Sequence, residues 1–295
     1  MEIIKSKDIN KLQILDLYTF LNKLPNHGFK DFSKDKKNFE IEIVNLIKDK
    51  RYRFFLEYKK NQIINYFLIK NEDSLNRSII MTYDYKKTII HINEIKKFTK
   101  LNSLEIGIRD SEKNQIKEFS FFEKTHTYEF MKLESKKFSK ILITDKKDFY
   151  IEVINHKTHY KNLMEIQNDC FADHHGFESN SLSDFKSEIK NLEKNQIKSF
   201  FQVSKNLEDE WIGYSWTHHN LINNDGRLSM CGIKKQFRNK GLARKLIISA
   251  INNLLAKKCT QIYLEVDSNN IPAKKIYKEI GFEVYSKLIW YKIIL

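Results

Sequence analysis

The chain has 295 residues, 41% of them hydrophobic, which is enough for about two domains with conventional cores. It contains no apolar run near the ~20 residues a membrane helix needs. Its net charge is +14, but only seven of its 52 cationic residues are the Arg that base readout and bidentate phosphate clamping favour; this predicts a solvated lysine surface and argues against nucleic acid as a partner. The opening MEIIKSKDINK lacks the apolar stretch and cleavage site of a secretory signal, and the three cysteines, Cys170, Cys231 and Cys259, are odd in number and widely spaced. A cytoplasmic protein with reduced thiols, no membrane association and no structural zinc is expected.

In chain order, the first half offers strand-like runs at FFLEY from Phe54, INYF around Tyr66, LEIGIRDS from Leu104 and FMKL around Lys132. Each has a partner in the second half. FFQVS from Phe200 lies at an offset of 146, IGYSW around Tyr214 at 148, and LEVDS from Leu264 and WYKI around Lys292 both at 160. The spacing predicts an internal repeat whose first copy is 12 residues shorter between its third and fifth strand positions. The join is expected in ESKKFSKILITDKKD, Glu134 to Asp148, a charged segment without Pro or Gly that reads as a short, covered connection. The predicted domains are residues 1–140 and 149–295.

The second half begins with a predicted strand, DFYIEVIN, then a helix over YKNLMEIQNDCF, a loop ADHHGFESN and a helix SLSDFKSEIKNLE capped by Ser181 or Ser183. Strands IKSFFQVS, EWIGYSWTHH and RLSMCGI follow. RNKGLA, Arg238 to Ala243, then precedes a helix with one apolar stripe formed by Leu242, Leu246, Ile247, Ala250, Ile251, Leu254 and Leu255. A glycine-bearing turn at a helix start leaves backbone N–H groups aimed outward, where they can hold phosphates. The chain closes with strand QIYLEVDS, short helix NNIPAKKIYKEIGF and strand KLIWYKIIL.

These residues resemble the GNAT (Gcn5-related N-acetyltransferase) superfamily. The family's coenzyme A turn, R/Q-x-x-G-x-G/A, fits Arg238, Gly241 and Ala243, and its N-x-x-A-x-x-x-Y…G-F signature fits Asn270, Ala273, Tyr277, Gly281 and Phe282. The likeness covers about residues 149 to 295. At the 160 offset, Asn270, Tyr277 and Gly281 face Asp110, Lys117 and Phe121, so the first copy is expected to be degenerate and without a cofactor site. The implied fold is α/β with mixed sheets: tandem GNAT-like domains, the C-terminal one intact, similar in layout to two-domain acyltransferases of the mycothiol synthase type. FADHHGF is similar to a stretch near the acceptor groove in that type.

The resemblance implies acetyl-CoA as cofactor and acetyl transfer to a primary amine of a small molecule or peptide, by direct attack in a ternary complex. Cofactor contacts fall on Cys231, Gly232 and Ile233 (with Met230), on Arg238, Asn239, Lys240, Gly241, Leu242 and Ala243, and on Asn270 and Tyr277. Lys234, Lys235, Lys240, Arg244 and Lys245 would attract the anionic cofactor. Acyl transfer needs an acid for the leaving thiolate, and Tyr277, with a reference pKa near ~10, suits that role. The base stays open among Glu265, Asp173, His174, His218 and His219. Tyr214, Trp216 and His218, with Trp290, either line an acceptor groove or belong to the core. Cys231, on a predicted buried strand without an adjacent base, is not expected to carry an acyl group, and His174, His175, His218, His219 and Cys170 lack a recognised metal-ligand spacing. Two other readings stay open: a non-catalytic acyl-CoA-sensing module and an aminoacyl-tRNA-dependent transferase.

Overall fold

The computed structural model describes residues 2–5, 8–23, 32–82, 102–110, 123–137, 149–174 and 177–294. The chain divides into two compact units that do not follow the sequence end to end. Unit 1 comprises Met1–Tyr128 with Ser286–Leu295, and unit 2 comprises Glu129–Tyr285.

Unit 1 contains β1 (Glu2–Lys5), α1 (Lys11–Asn22), α2 (Lys36–Lys48), β2 (Tyr52–Lys59), β3 (Gln62–Glu72), β4 (Arg77–Thr82), β5 (Ser103–Arg109) and most of the last strand, β12 (Glu283–Ile294). Its strands run in the order β1-β2-β3-β4-β5-β12. All pairs are antiparallel except β4 with β5, and β12 takes its place through Leu288–Ile294 set against Arg109–Ser103. Both helices start at side-chain caps: Asn10 forms a reciprocal pair with Gln13, and Asp35 accepts from the Asn38 N–H at 2.8 Å. Leu17, Phe39 and Ile43 on those helices pack on Phe54, Leu56 and Leu68 of the sheet.

Unit 2 repeats the pattern. It holds the end of β6 (Glu123–Glu134), then β7 (Phe149–Ile154), α3 (His156–Phe171), α4 (Leu182–Lys194), β8 (Ile197–Asn206), β9 (Trp211–Asn220), β10 (Asp225–Ile233), α5 (Leu242–Ala256), β11 (Gln261–Asp267) and α6 (Ile271–Ile280). The strand order is β6-β11-β10-β9-β8-β7, with β10 and β11 parallel. The apolar stripe of α5 is buried at Leu242, Leu246, Ile247, Ala250, Ile251 and Leu254, against Leu228, Ile262 and Leu264 on the sheet; Leu255 packs there half-buried. Phe54 and Phe200, Tyr66 and Tyr214, and Leu104 and Leu264 sit on corresponding strands of the two units.

The repeat extends to an ion pair. Ser78 stands opposite Leu104 and Leu228 opposite Leu264, so Arg77 corresponds to Arg227 and Glu105 to Glu265. Arg77 reaches Glu105 at 2.8 Å, and Arg227 reaches Glu265 at 3.3 Å. In unit 1 Glu105 is buried and Arg77 half-buried, and the Arg77 Nε also reaches the buried Glu72 at 2.7 Å. The stretch expected to have lost the cofactor turn in the first copy, residues 83–101, lies outside the described residues, as do Lys117, Phe121 and most of the join, 138–148.

Candidate active site

The site in unit 2 begins with a strand that breaks its own ladder. β10 pairs antiparallel with β9, but its register shifts between Leu228 and Met230, and its parallel pairing with β11 runs only over Gly226–Leu228. A bulge re-aims a strand and ends pairing locally, and here it leaves main-chain groups of Met230–Ile233 without a ladder partner on the β11 side. Gly232 in this stretch answers to packing. A Cβ there would stand 2.7 Å from the Cys170 Cβ and 2.9 Å from the Phe171 ring, both on α3.

Past the strand end, the chain reverses into α5 through two left-handed residues, Asn239 (φ 65°) and Gly241 (φ 77°). Gly241 is the N-cap, supplies no side-chain cap, and is followed by no acidic residue in the first turn. The first amides of α5 therefore keep their donors and the positive end of the helix dipole. A Cβ on Gly241 would meet nothing within 4 Å, so the approach to those amides is open.

The third wall is α6. Asn270 caps it by accepting the Ala273 N–H at 3.2 Å, and Gly281 ends it in the left-handed region at φ 108°. Asn270, Ala273 and Tyr277 fall on one helical face, and the Phe282 ring meets Tyr277 edge-on with centroids 5.9 Å apart. The Tyr277 hydroxyl is pushed well above the ordinary phenol range by burial first and by Cys231 second.

These three elements and the end of α3 enclose a cavity of about 400 Å³. Of the predicted cofactor residues, Cys231, Gly232, Ile233, Arg238, Asn239, Gly241, Leu242, Ala243, Asn270 and Tyr277 line it; Lys240 stands instead over the Phe237 ring, 5.4 Å from its centroid. Of the cations near the turn, Lys234 pairs with Glu210 at 3.3 Å and Arg244 with Glu279 at 2.6 Å. The Cys231 thiol is driven upward by burial and then by Cys170, and burial pushes Cys170 up to about 12, so neither is an activated nucleophile. No cluster of His, Cys, Asp and Glu suited to a metal occurs among the described residues, of which His175 is not one.

The base candidates are dispersed. His174 lines the cavity, its ring 5.0 Å from that of Phe171. Asp173 is held in a two-pronged pair with Arg238, at 2.7 and 2.9 Å, and the Arg238 hydrogen bonds keep its carboxyl below the usual range. Glu265 is exposed beside Arg227 and does not border the cavity. His219 is joined to Asn224 at 2.8 Å.

Tyr214 and Trp216 are core residues rather than groove residues. Both are wholly buried, Trp216 stacked on Phe201 and the Tyr214 hydroxyl donating to the Met230 sulfur at 3.1 Å. His218, beside Trp216, is buried too, and Trp290 belongs to unit 1, where its ring lies by Gly107. Phe171 enters the sequence reading through FADHHGF, but Phe237, Ile247, Pro272 and Ile276 also line the cavity and are not assigned to the site from sequence. Ile247 reads there only as part of the apolar stripe of α5.

The Acetyltransferase (GNAT) family pattern matches residues 160–282, which takes in every wall of this cavity. The whole chain superposes on a tandem GNAT protein from the clavulanic acid biosynthesis pathway with a TM-score of 0.71 at 8% identity, covering 99% of this chain and 98% of that one. Residues 160–282 thus match the GNAT family pattern, and the chain as a whole shares the tandem fold of that protein.

A GCN5-related N-acetyltransferase from Sphaerobacter thermophilus shares the fold, with a TM-score of 0.65 at 10% identity over 87% of this chain and 85% of that one. In sequence, the mycothiol acetyltransferase of Saccharomonospora viridis is 24% identical over 116 residues, 35% of this chain and 38% of that protein. The spermine/spermidine N(1)-acetyltransferase of Bacillus subtilis is 35% identical over 88 residues, 28% of this chain and 58% of that protein. The matches thus span well under two thirds of the length of these curated relatives. No described helix of the chain is long and apolar enough to cross a membrane.

Proposed function

We propose that this protein is an acyl-CoA-dependent N-acetyltransferase whose second unit binds acetyl-CoA and passes the acetyl group directly to a primary amine of a small molecule or peptide. The observation that carries the reading is the convergence, in one cavity, of the uncapped α5 N-terminus, the strand Met230–Ile233 parted from β11, and the buried Tyr277 hydroxyl. The fit to coenzyme A rests on those open amides and on Gly241, which leaves room for a pyrophosphate. Acetyl-CoA, when bound, supplies a thioester at the level of the amine acceptor.

The chain's own groups do the rest. Amides 241–244 hold the phosphates, and the main chain of Met230–Ile233 aligns the arm between β10 and β11. Tyr277 keeps its proton throughout the physiological range and donates it to the departing sulfur. His174, which lines the cavity, is the base candidate for the amine proton, directly or through water. The relatives named for mycothiol and spermine chemistry make aminothiol glycosides and polyamines the first acceptors to test. The first unit, Met1–Tyr128 with Ser286–Leu295, reads as the degenerate copy and carries no cofactor in this proposal.

Calorimetry with coenzyme A and acetyl-CoA tests the binding, and thiol release across an amine panel tests the transfer. Tyr277→Phe should retain coenzyme A affinity while kcat falls by about 100-fold, the scale of a lost general acid. Undiminished turnover in that variant removes Tyr277 from the mechanism. The wild-type pH profile should show no limb from this phenol below about pH 10, because its shift is upward.

A further inference from the structure

Arg238 opens the turn, yet its guanidinium is turned away from it. Nε donates to the Ile233 carbonyl at 3.0 Å, at the end of β10, and Nη2 donates to the Cys170 carbonyl at 2.9 Å, in the last turn of α3. Nη1 and Nη2 also grip both carboxylate oxygens of Asp173, at 2.7 and 2.9 Å. One side chain therefore joins the strand end, the helix end and the turn. The cation also sits at the negative end of the α3 dipole, where it satisfies a last-turn carbonyl. Planar, two-pronged pairing of this kind fixes direction as well as distance, which a lysine does not do. Phe171 and His174, which flank the gripped residues, face the cavity.

We propose that Arg238 and Asp173 are positioning residues: their ion pair lashes the α3 end to the phosphate-binding turn, so that occupancy of the turn by coenzyme A fixes Phe171 and His174 for the acceptor. The inference rests on the coenzyme A reading above and reassigns both residues. Asp173 is not the base, because its carboxylate is spent on Arg238, and Arg238 is not a phosphate ligand, because its donors point to α3 and β10.

The test is amide hydrogen exchange over residues 168–174, with and without saturating coenzyme A, alongside calorimetry of coenzyme A binding. In the wild type, coenzyme A should slow exchange in this segment about tenfold, in the ordinary range of coupling between sites. Asp173→Asn should bind coenzyme A within about threefold of wild type yet lose the coenzyme A-dependent slowing, and Asp173→Glu should restore it. A merely structural role would raise exchange in the free protein and leave the increment intact, which overturns the proposal. It is overturned equally if Asp173→Asn keeps the increment while kcat falls 100-fold, the behaviour of a base. Failure of the wild type to bind coenzyme A at all defeats the functional reading itself, and the coupling with it.

Discussion

A methyl group at Gly232 has nowhere to go, since the Cys170 Cβ and the Phe171 ring already occupy its space. Gly232→Ala should therefore lower stability by about 1–3 kcal/mol, the usual cost of overpacking, read as a shift in urea midpoint. His218 makes a different prediction. Burial, and behind it the charge of Arg227, moves its imidazole from 6.5 down to about 4, so the folded state resists a proton that the unfolded chain accepts. Stability is then complete above pH 6.5 and drains away as pH falls toward 4, by about 3 kcal/mol in all. His218→Gln should flatten the pH dependence of the urea midpoint across that window; an unchanged slope would place the titration elsewhere. At this scale the sequence picked out turn and α6 residues that the structure brings to one cavity, and left open where Tyr214 and Trp216 face. An alternating aromatic on a strand looks alike whether it faces a groove or a core, and only the helices laid over β8 and β9 decide the matter.

At the scale of the element, α5 starts without the side-chain support that helices usually have. It has no side-chain cap, unlike α1 and α2, which are capped by Asn10 and Asp35, and like them it has no acid in its first turn. Ala243→Asp supplies the missing negative charge. It should raise stability by about 0.3–1 kcal/mol through the helix dipole, read as thermal midpoint, while coenzyme A affinity falls at least tenfold in calorimetry. An anion site elsewhere would leave the affinity unmoved. The helix, its stripe and its start were legible in the sequence because apolar periodicity and a turn glycine are local signals. The bulge in β10 was not, because a break in pairing is a property of two strands, and Leu228, Ser229 and Met230 carry no mark of it.

At the scale of the whole molecule, the two units each complete their sheet with a strand from the far end of the other half's sequence. Leu288–Ile294 pair with β5 in unit 1, and Glu129–Glu134 belong to unit 2, where Met131 and Leu133 join the α5 core. Deleting residues 286–295 should uncover β5 and remove the buried Tyr291 from its cluster. Unit 1 should lose about 3 kcal/mol or more, with exchange rising over Ser103–Arg109 ahead of β8 and β9. Equal loss in both units would contradict the division. By itself the sequence determined the repeat, the strand and helix order of the second half, and the glycine turn before α5, since offsets, periodicities and glycine positions are written along the chain. Tertiary structure alone decided the strand exchange, the parting of β10 from β11 and the meeting of Arg238 with Asp173. Each of these joins residues far apart in sequence, and their pairing is set by packing free energy summed over the fold, which no local pattern encodes.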